Sequence, residues 1–205
     1  MALRTGIIFV PQIDDSASAA IIALLRRNRL PVIIVHETAV GNQRNWIEEL
    51  LRRWCDEDEL DLILTVGGTM PAPGPSQAEA VPGATATMIE RELVGFAERM
   101  RAHAYLQTPL ALLHRGVCGI RGRTLMINLP NGAAAAALFL EAIAELIEPT
   151  LAYLQDGADR PQIEDELELV EDDGQSEAVS QVESRMRQGK LNADEFARFL
   201  KRGDK

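Results

Sequence analysis

Three short stretches hold the residues whose types and spacing could do chemistry. The first is Gly67-Gly68-Thr69-Met70-Pro71-Ala72-Pro73-Gly74-Pro75-Ser76. Glycines at a strand end let the backbone reach positive φ and approach a ligand closely. The N–H groups exposed there, with those of a following helix N-terminus, attract anions such as phosphate. The stretch lacks the Lys-Ser/Thr ending of a P-loop and the spacing of a dinucleotide fingerprint. By pattern alone it is either a ligand loop or a simple tight loop. The second stretch is the polar turn Asn128-Leu129-Pro130-Asn131-Gly132. The third, His114 to Arg123, is rich in Gly and Arg, and guanidinium groups suit phosphate. Arg115 stands closest to a strand end and is the better anion candidate. Arg121 and Arg123 read as a solvated hairpin tip.

Other chemistries find little support. His36, His103 and His114 are far apart and have no ligand-spaced companions. His103 reads as the end of a helix, where an imidazolium suits the dipole. Cys55 and Cys118 form no CxxC pair, so zinc, haem and iron–sulfur sites are not expected. Cys118 reads as a small buried residue, and no Gly-x-Ser-x-Gly elbow is present.

The elements that must position these stretches alternate. Short apolar or β-branched runs at Gly6–Val10, Pro31–His36, Leu60–Val66, Pro109–Leu113 and Thr124–Leu129 read as strands. Helical periods fill the gaps over Ser16–Asn28, Asn45–Cys55 and Ala84–His103, with Ala134–Leu154 a final helix or pair of helices. Trp46 and Trp54 are expected in the core, and Pro149 at the start of a new turn rather than mid-helix. The expected fold class is α/β: a three-layer α/β/α arrangement around a mostly parallel sheet, plus a small C-terminal helical tail. Asp61–Val66 reads as a central strand buried on both faces. Loops beyond the carboxyl ends of such strands hold ligands.

Charge divides the chain. Of 205 residues, 31 are acidic and 21 basic, giving −10. Residues 156–175 hold nine acids and one Arg, which is −8; residues 176–205 hold five acids and seven bases, which is +2. The remainder, 1–155, is left with −4. The domain expectation is therefore an α/β domain over 1–155, a flexible acidic linker over 156–175 and a helical hairpin over 176–205. Asn192 and Glu195 form a plausible capping box in that hairpin. Acidity argues against nucleic-acid and anionic-membrane binding. No signal-peptide core or membrane span is recognised, and two lone cysteines fit a reducing cytoplasm.

Ordered blocks across about residues 5–154 resemble the molybdopterin-binding family of molybdenum-cofactor biosynthesis proteins. They are Asp61-Leu62-Ile63-Leu64-Thr65-Val66-Gly67-Gly68-Thr69, Pro82-Gly83-Ala84-Thr85, Glu90 to Phe96, Thr108-Pro109-Leu110-Ala111, Arg115 to Gly122, and Leu125-Met126-Ile127-Asn128-Leu129-Pro130. The resemblance implies molybdopterin as ligand or substrate, a homotrimer or higher homo-oligomer, and, in enzymatic members, adenylyl transfer from Mg-ATP. It assigns phosphate to the Gly67-Gly68-Thr69 backbone with Arg115 and Gly116. Asn128, Pro130, Asn131 and Gly132 would shape the pterin pocket. Glu79 and Asn42 would take the catalytic positions, with Glu79 facing Mg²⁺.

The site loops depart from the family pattern. Met70 stands where the family has a fourth-position Gly, Glu79 fills an Asp register, and Asn42 replaces an Asp. His114 replaces a Ser, and Asn131-Gly132-Ala133 replaces a Gly-x-Pro ending. Such changes predict reduced or lost adenylylation. The alternative is a non-catalytic oligomeric scaffold that presents residues 176–205 to a protein partner.

Overall fold

Alternation of side chains along three strands builds the molecule. In the computed structural model, β1 (Leu3–Phe9), β3 (Leu62–Val66) and β6 (Thr124–Leu129) lie side by side and parallel. Ile7, Phe9, Leu62, Leu64, Val66, Leu125, Ile127 and Leu129 face one apolar layer. Ile8, Ile63 and Met126 face the other. This is period-2 geometry with both faces covered. The structure describes residues 2–71 and 79–156. These belong to the first of two units into which the chain divides, Met1–Arg160, with Pro161–Lys205 the second.

The sheet order is β2-β1-β3-β6-β5-β4, where β2 is Val32–Ala39, β4 Arg91–Glu92 and β5 Cys118–Arg121. β2 is parallel to β1, whereas β5 is antiparallel to both β6 and β4. One layer holds α1 (Asp15–Arg27), α4 (Val94–Tyr105), α5 (Ala133–Glu141) and α6 (Ala144–Asp156). The other holds α2 (Arg44–Asp56) and α3 (Ala80–Met88). The expected three-layer, mostly parallel α/β/α fold is the one observed. Asp14 caps α1, its carboxylate accepting from the Ala17 N–H at 3.0 Å. Such a cap contributes about 1 kcal/mol.

Four local expectations need correction. Pro109–Leu113 is a 3-10 helix, not a strand. Proline supplies no ladder donor, and the Thr108 carbonyl instead accepts from Ala111 N at 3.1 Å. Ala84–His103 is not one helix. The sheet claims the backbone between α3 and α4, with Glu90 N donating to Ile120 O and Leu93 N to Cys118 O, both at 2.8 Å. Trp46 is 61% exposed while Trp54 is buried. The buried stripe of α2 is Ile47, Leu51, Trp54 and Cys55, and one residue turns about 100° around a helix. Pro149 lies inside α6, because the helix break comes earlier, at Ala142–Ile143. Glu145 and Pro149 are both exposed there, so water can reach the carbonyl that proline leaves without a donor. The expected linker beyond Asp156, the tail hairpin with Asn192 and Glu195, and the Pro73-Gly74-Pro75 stretch lie outside the described residues.

Candidate functional site

Parallel pairing of β2, β1, β3 and β6 brings four loops to one edge of the sheet. Backbone bonds knit them together. Val40 N donates to Phe9 O at 3.0 Å, Val10 N to Val66 O at 2.9 Å and Gly67 N to Leu129 O at 3.0 Å. Gly67 has φ +99°, and a Cβ there would lie 2.2 Å from the Val10 carbonyl oxygen. Only glycine allows this crossing. A Cβ on Gly67 would also stand 3.8 Å from Asn131 Oδ1, which brings the first two candidate stretches together.

The third stretch joins through Arg115, whose N–H donates to Thr69 O at 2.8 Å. The Arg115 guanidinium is exposed and meets Glu79, which sits at the N-cap of α3, at 3.4 Å. Gly67, Gly68, Thr69, Arg115, Glu79 and Asn131 therefore form one neighbourhood. Pro130 is buried, and Gly132, at φ +89°, opens α5. Met70 is 44% exposed. Asn42 lies exposed in the loop after β2, two strands from β3. The same loop leads into Arg44, which bonds Glu48 and reaches Thr87 on α3.

Asn128 lies inside the fold at the base of these loops. It is fully buried, and its amide nitrogen donates to Thr65 Oγ1 at 2.8 Å and Thr85 Oγ1 at 2.9 Å. Its Oδ1 accepts from Val117 N at 3.0 Å. One side chain thus ties β3, α3, β6 and the Arg115–Val117 loop together. Its hydrogen bonds within the protein hold these loops in place.

His114 is a residue whose burial sequence reasoning missed. It is 2% exposed, its ring lies 4.5 Å from that of Phe139, and Gly116 leaves it room that any Cβ would occupy. Burial, assisted by the Arg101 charge, pushes its pKa down to about 4, so the imidazole is neutral near pH 7. Both ring nitrogens and Thr69 Oγ1 are buried and have no hydrogen-bond partner among the described residues. No spacing signal announces this; only packing against α5 does.

Elsewhere the cysteines are inert. Burial raises the Cys118 thiol to about 12 and that of Cys55 to about 11. Arg121 is not a free hairpin tip. It holds Asp56 through two 2.8 Å bonds, which lower the Asp56 pKa. His103 lies in the last turn of α4, as expected. Among the described residues no cluster of three or more His, Cys, Asp or Glu could hold a metal. None of their helices is long and apolar enough to cross a membrane.

The family described as "Probable molybdopterin binding domain" matches residues 7–152. The chain belongs to this molybdopterin-binding family. It is 34% identical over 143 residues to a molybdopterin adenylyltransferase of Helicobacter pylori, covering 70% of this chain and 77% of that protein. It is 30% identical over 144 residues to molybdenum cofactor biosynthesis protein B of Staphylococcus aureus, covering 69% and 81%. Among solved structures, the molybdopterin biosynthesis enzyme MoaB of Thermus thermophilus superposes with TM-score 0.67 at 36% identity. That match covers 75% of this chain and 97% of the other. The molybdopterin-binding family members thus share the sheet that carries the loops described above.

Proposed function

We propose that this molybdopterin-binding-family chain binds molybdopterin and the phosphates of a nucleotide at the carboxyl edge of its sheet, as a homotrimer or higher homo-oligomer. One observation carries the reading: the Arg115 N–H bonds the carbonyl of Thr69, the residue after Gly67-Gly68, and the exposed Arg115 guanidinium stands 3.4 Å from Glu79 at the same rim. With the Gly67 N–H bonded to Leu129 O, an anion here would be met by backbone N–H groups further along the turn and by the guanidinium. The ligand class is supported by relatives named for work on molybdopterin. Asn131 and Gly132 border the same loops from the β6 side. A cytoplasmic location fits two free buried thiols.

Glu79 is the one carboxylate the site contributes at this rim among the residues assigned to it. Mg²⁺ is commonly held by one or two carboxylates with the remaining shell from phosphates and water. The donor chemistry therefore fits, with Glu79 as protein ligand. Bound Mg²⁺ would neutralise charge on the triphosphate. In adenylyl transfer, an oxygen of the molybdopterin phosphate forms a bond to the α-phosphorus of ATP. The bond from that phosphorus to the bridging oxygen breaks, and pyrophosphate leaves. In this chain Arg115 holds Glu79, and Asn42 brings no charge. Binding is retained, and adenylylation is reduced or lost.

Calorimetric titration with ATP and with molybdopterin tests the reading. Saturable binding of both is expected, weakened about tenfold by Arg115→Ala, the loss of one charge-assisted contact. Failure of both to bind an intact assembly overturns the ligand site. Pyrophosphate release is expected to be slow in wild type and absent in Glu79→Ala. Equal rates overturn the metal role of Glu79.

A further inference from the structure

Trp46, a tryptophan left 61% exposed, forms one wall of a cavity of about 500 Å³ at the outer edge of the sheet. Two elements build it. β2 is the edge strand, and Val40 directly follows it. α2 supplies Trp46, Glu49, Leu50 and Arg53. These recur at i, i+3, i+4 and i+7, so they share one helix face, a step round from the buried stripe of Ile47, Leu51 and Trp54. Val40 and Leu50 are half-buried against the core and make an apolar floor. Gln43, Glu49 and Arg53 bring the polar rim. A cavity of this volume takes a small molecule, and an apolar and aromatic lining with a few polar groups is the usual make-up of such sites.

The rim selects the charge of the occupant. Glu49 is already answered: Arg52 donates to both of its oxygens, at 2.7 and 3.2 Å, and these bonds lower its pKa. Arg53 is not answered in this way. It approaches Asp58 at 3.8 Å, beyond hydrogen-bond length, and its side chain is 56% exposed. Gln43 lines the cavity and makes no side-chain capping bond to α2. An indole face, a guanidinium and an amide around an apolar floor suit a flat ring that carries one anionic group. We propose that this cavity binds a small planar aromatic anion, with its ring against Trp46 and its carboxylate or phosphate on Arg53. The site stands apart from the loops around Gly67 and Arg115. β1 lies between β2 and β3 in the sheet, and none of the cavity's residues belongs to that neighbourhood.

The test follows the indole N–H signals of Trp46 and Trp54 by nuclear magnetic resonance on the full chain. The titrants are indole-3-acetate and phenyl phosphate, two arms that separate a carboxylate head from a phosphate head. Trp54 is buried and serves as the internal reference. The Trp46 signal is expected to shift saturably with at least one of the two, while that of Trp54 stays in place. Neutral indole-3-acetamide and inorganic phosphate, each lacking half of the ligand, are expected to bind at least about fivefold more weakly. Arg53→Gln is expected to melt as wild type does and to weaken the anion by a similar factor, leaving the acetamide unchanged. Gln43→Ala decides the matter if Arg53→Gln does not melt cooperatively; it too is expected to weaken the anion. Arg115→Ala is expected to leave the Trp46 titration as it is. No saturable shift with either anion, or equal affinity for the acid and its amide, overturns the site. A titration that Arg53→Gln spares and Arg115→Ala abolishes moves the anion to the Gly67 loops and overturns it equally.

Discussion

Replacing Asn128 by alanine should loosen the molecule at the point where its framework meets its site. The amide side chain makes three buried or half-buried hydrogen bonds, to Thr65, Thr85 and the Val117 N–H. The Thr65 and Thr85 hydroxyl oxygens each lose a donor but keep an O–H that can still donate elsewhere, so their share is small, about 0.5–1 kcal/mol each. The Val117 N–H cannot rotate away, and stranding it costs about 1–3 kcal/mol. The expected loss is about 3 kcal/mol, measured by urea unfolding as a lower midpoint at unchanged slope. Hydrogen exchange supplies the local readout: the Val117 amide should lose protection even under native conditions. ATP binding should weaken as well, because the freed segment carries Arg115. A loss below 1 kcal/mol, or an unchanged Val117 amide, would refute the view of Asn128 as a clamp between β3, α3 and the Arg115 loop.

Burial of His114 implies a definite pH dependence. Its folded pKa is lowered from 6.5 to about 4, so the unfolded chain binds the extra proton first. The contribution is complete above pH 6.5 and disappears as pH falls toward 4, a span worth about 3 kcal/mol. His114→Phe should flatten that part of the stability profile, and parallel wild-type and variant profiles would count against it. Gly67→Ala should cost about 2–4 kcal/mol, since φ +99° and the Val10 carbonyl oppose a methyl group together; thermal melts would reveal it, and an unchanged Tm would contradict the crossing described. Cys55 and Cys118 should resist a thiol reagent at pH 8 in the folded chain and react at once in urea. Rapid labelling of the native protein would contradict their burial.

The amino-acid sequence by itself determined the strand–helix alternation, the two-sided burial of Leu62–Val66 and the position of the glycine turn beyond it. These are local matters: β-branched runs, helical periods and residues that permit positive φ carry their signal in neighbouring positions. It also showed which framework blocks resemble the molybdopterin-binding family, because that framework is built from the same strands. Pro109–Leu113 misled, since an apolar run looks the same whether it fills a core or faces water. Trp46 misled for a related reason: one step around α2 separates a buried face from an exposed one.

Only the tertiary structure decided what the polar residues do. Asn128 stands in a turn motif that suggested a ligand, yet the threonines that occupy its hydrogen bonds come from β3 and α3, 63 and 43 residues away in the chain. Arg115 meets Glu79 across 36 residues, and Asn42 is left on a neighbouring loop. His114 looked like one more polar residue beside an arginine, until Phe139 on α5 enclosed it. Partners of this kind are chosen by the order of strands in the sheet and the packing of helices against it. That information is spread over the whole chain, and no single motif contains it.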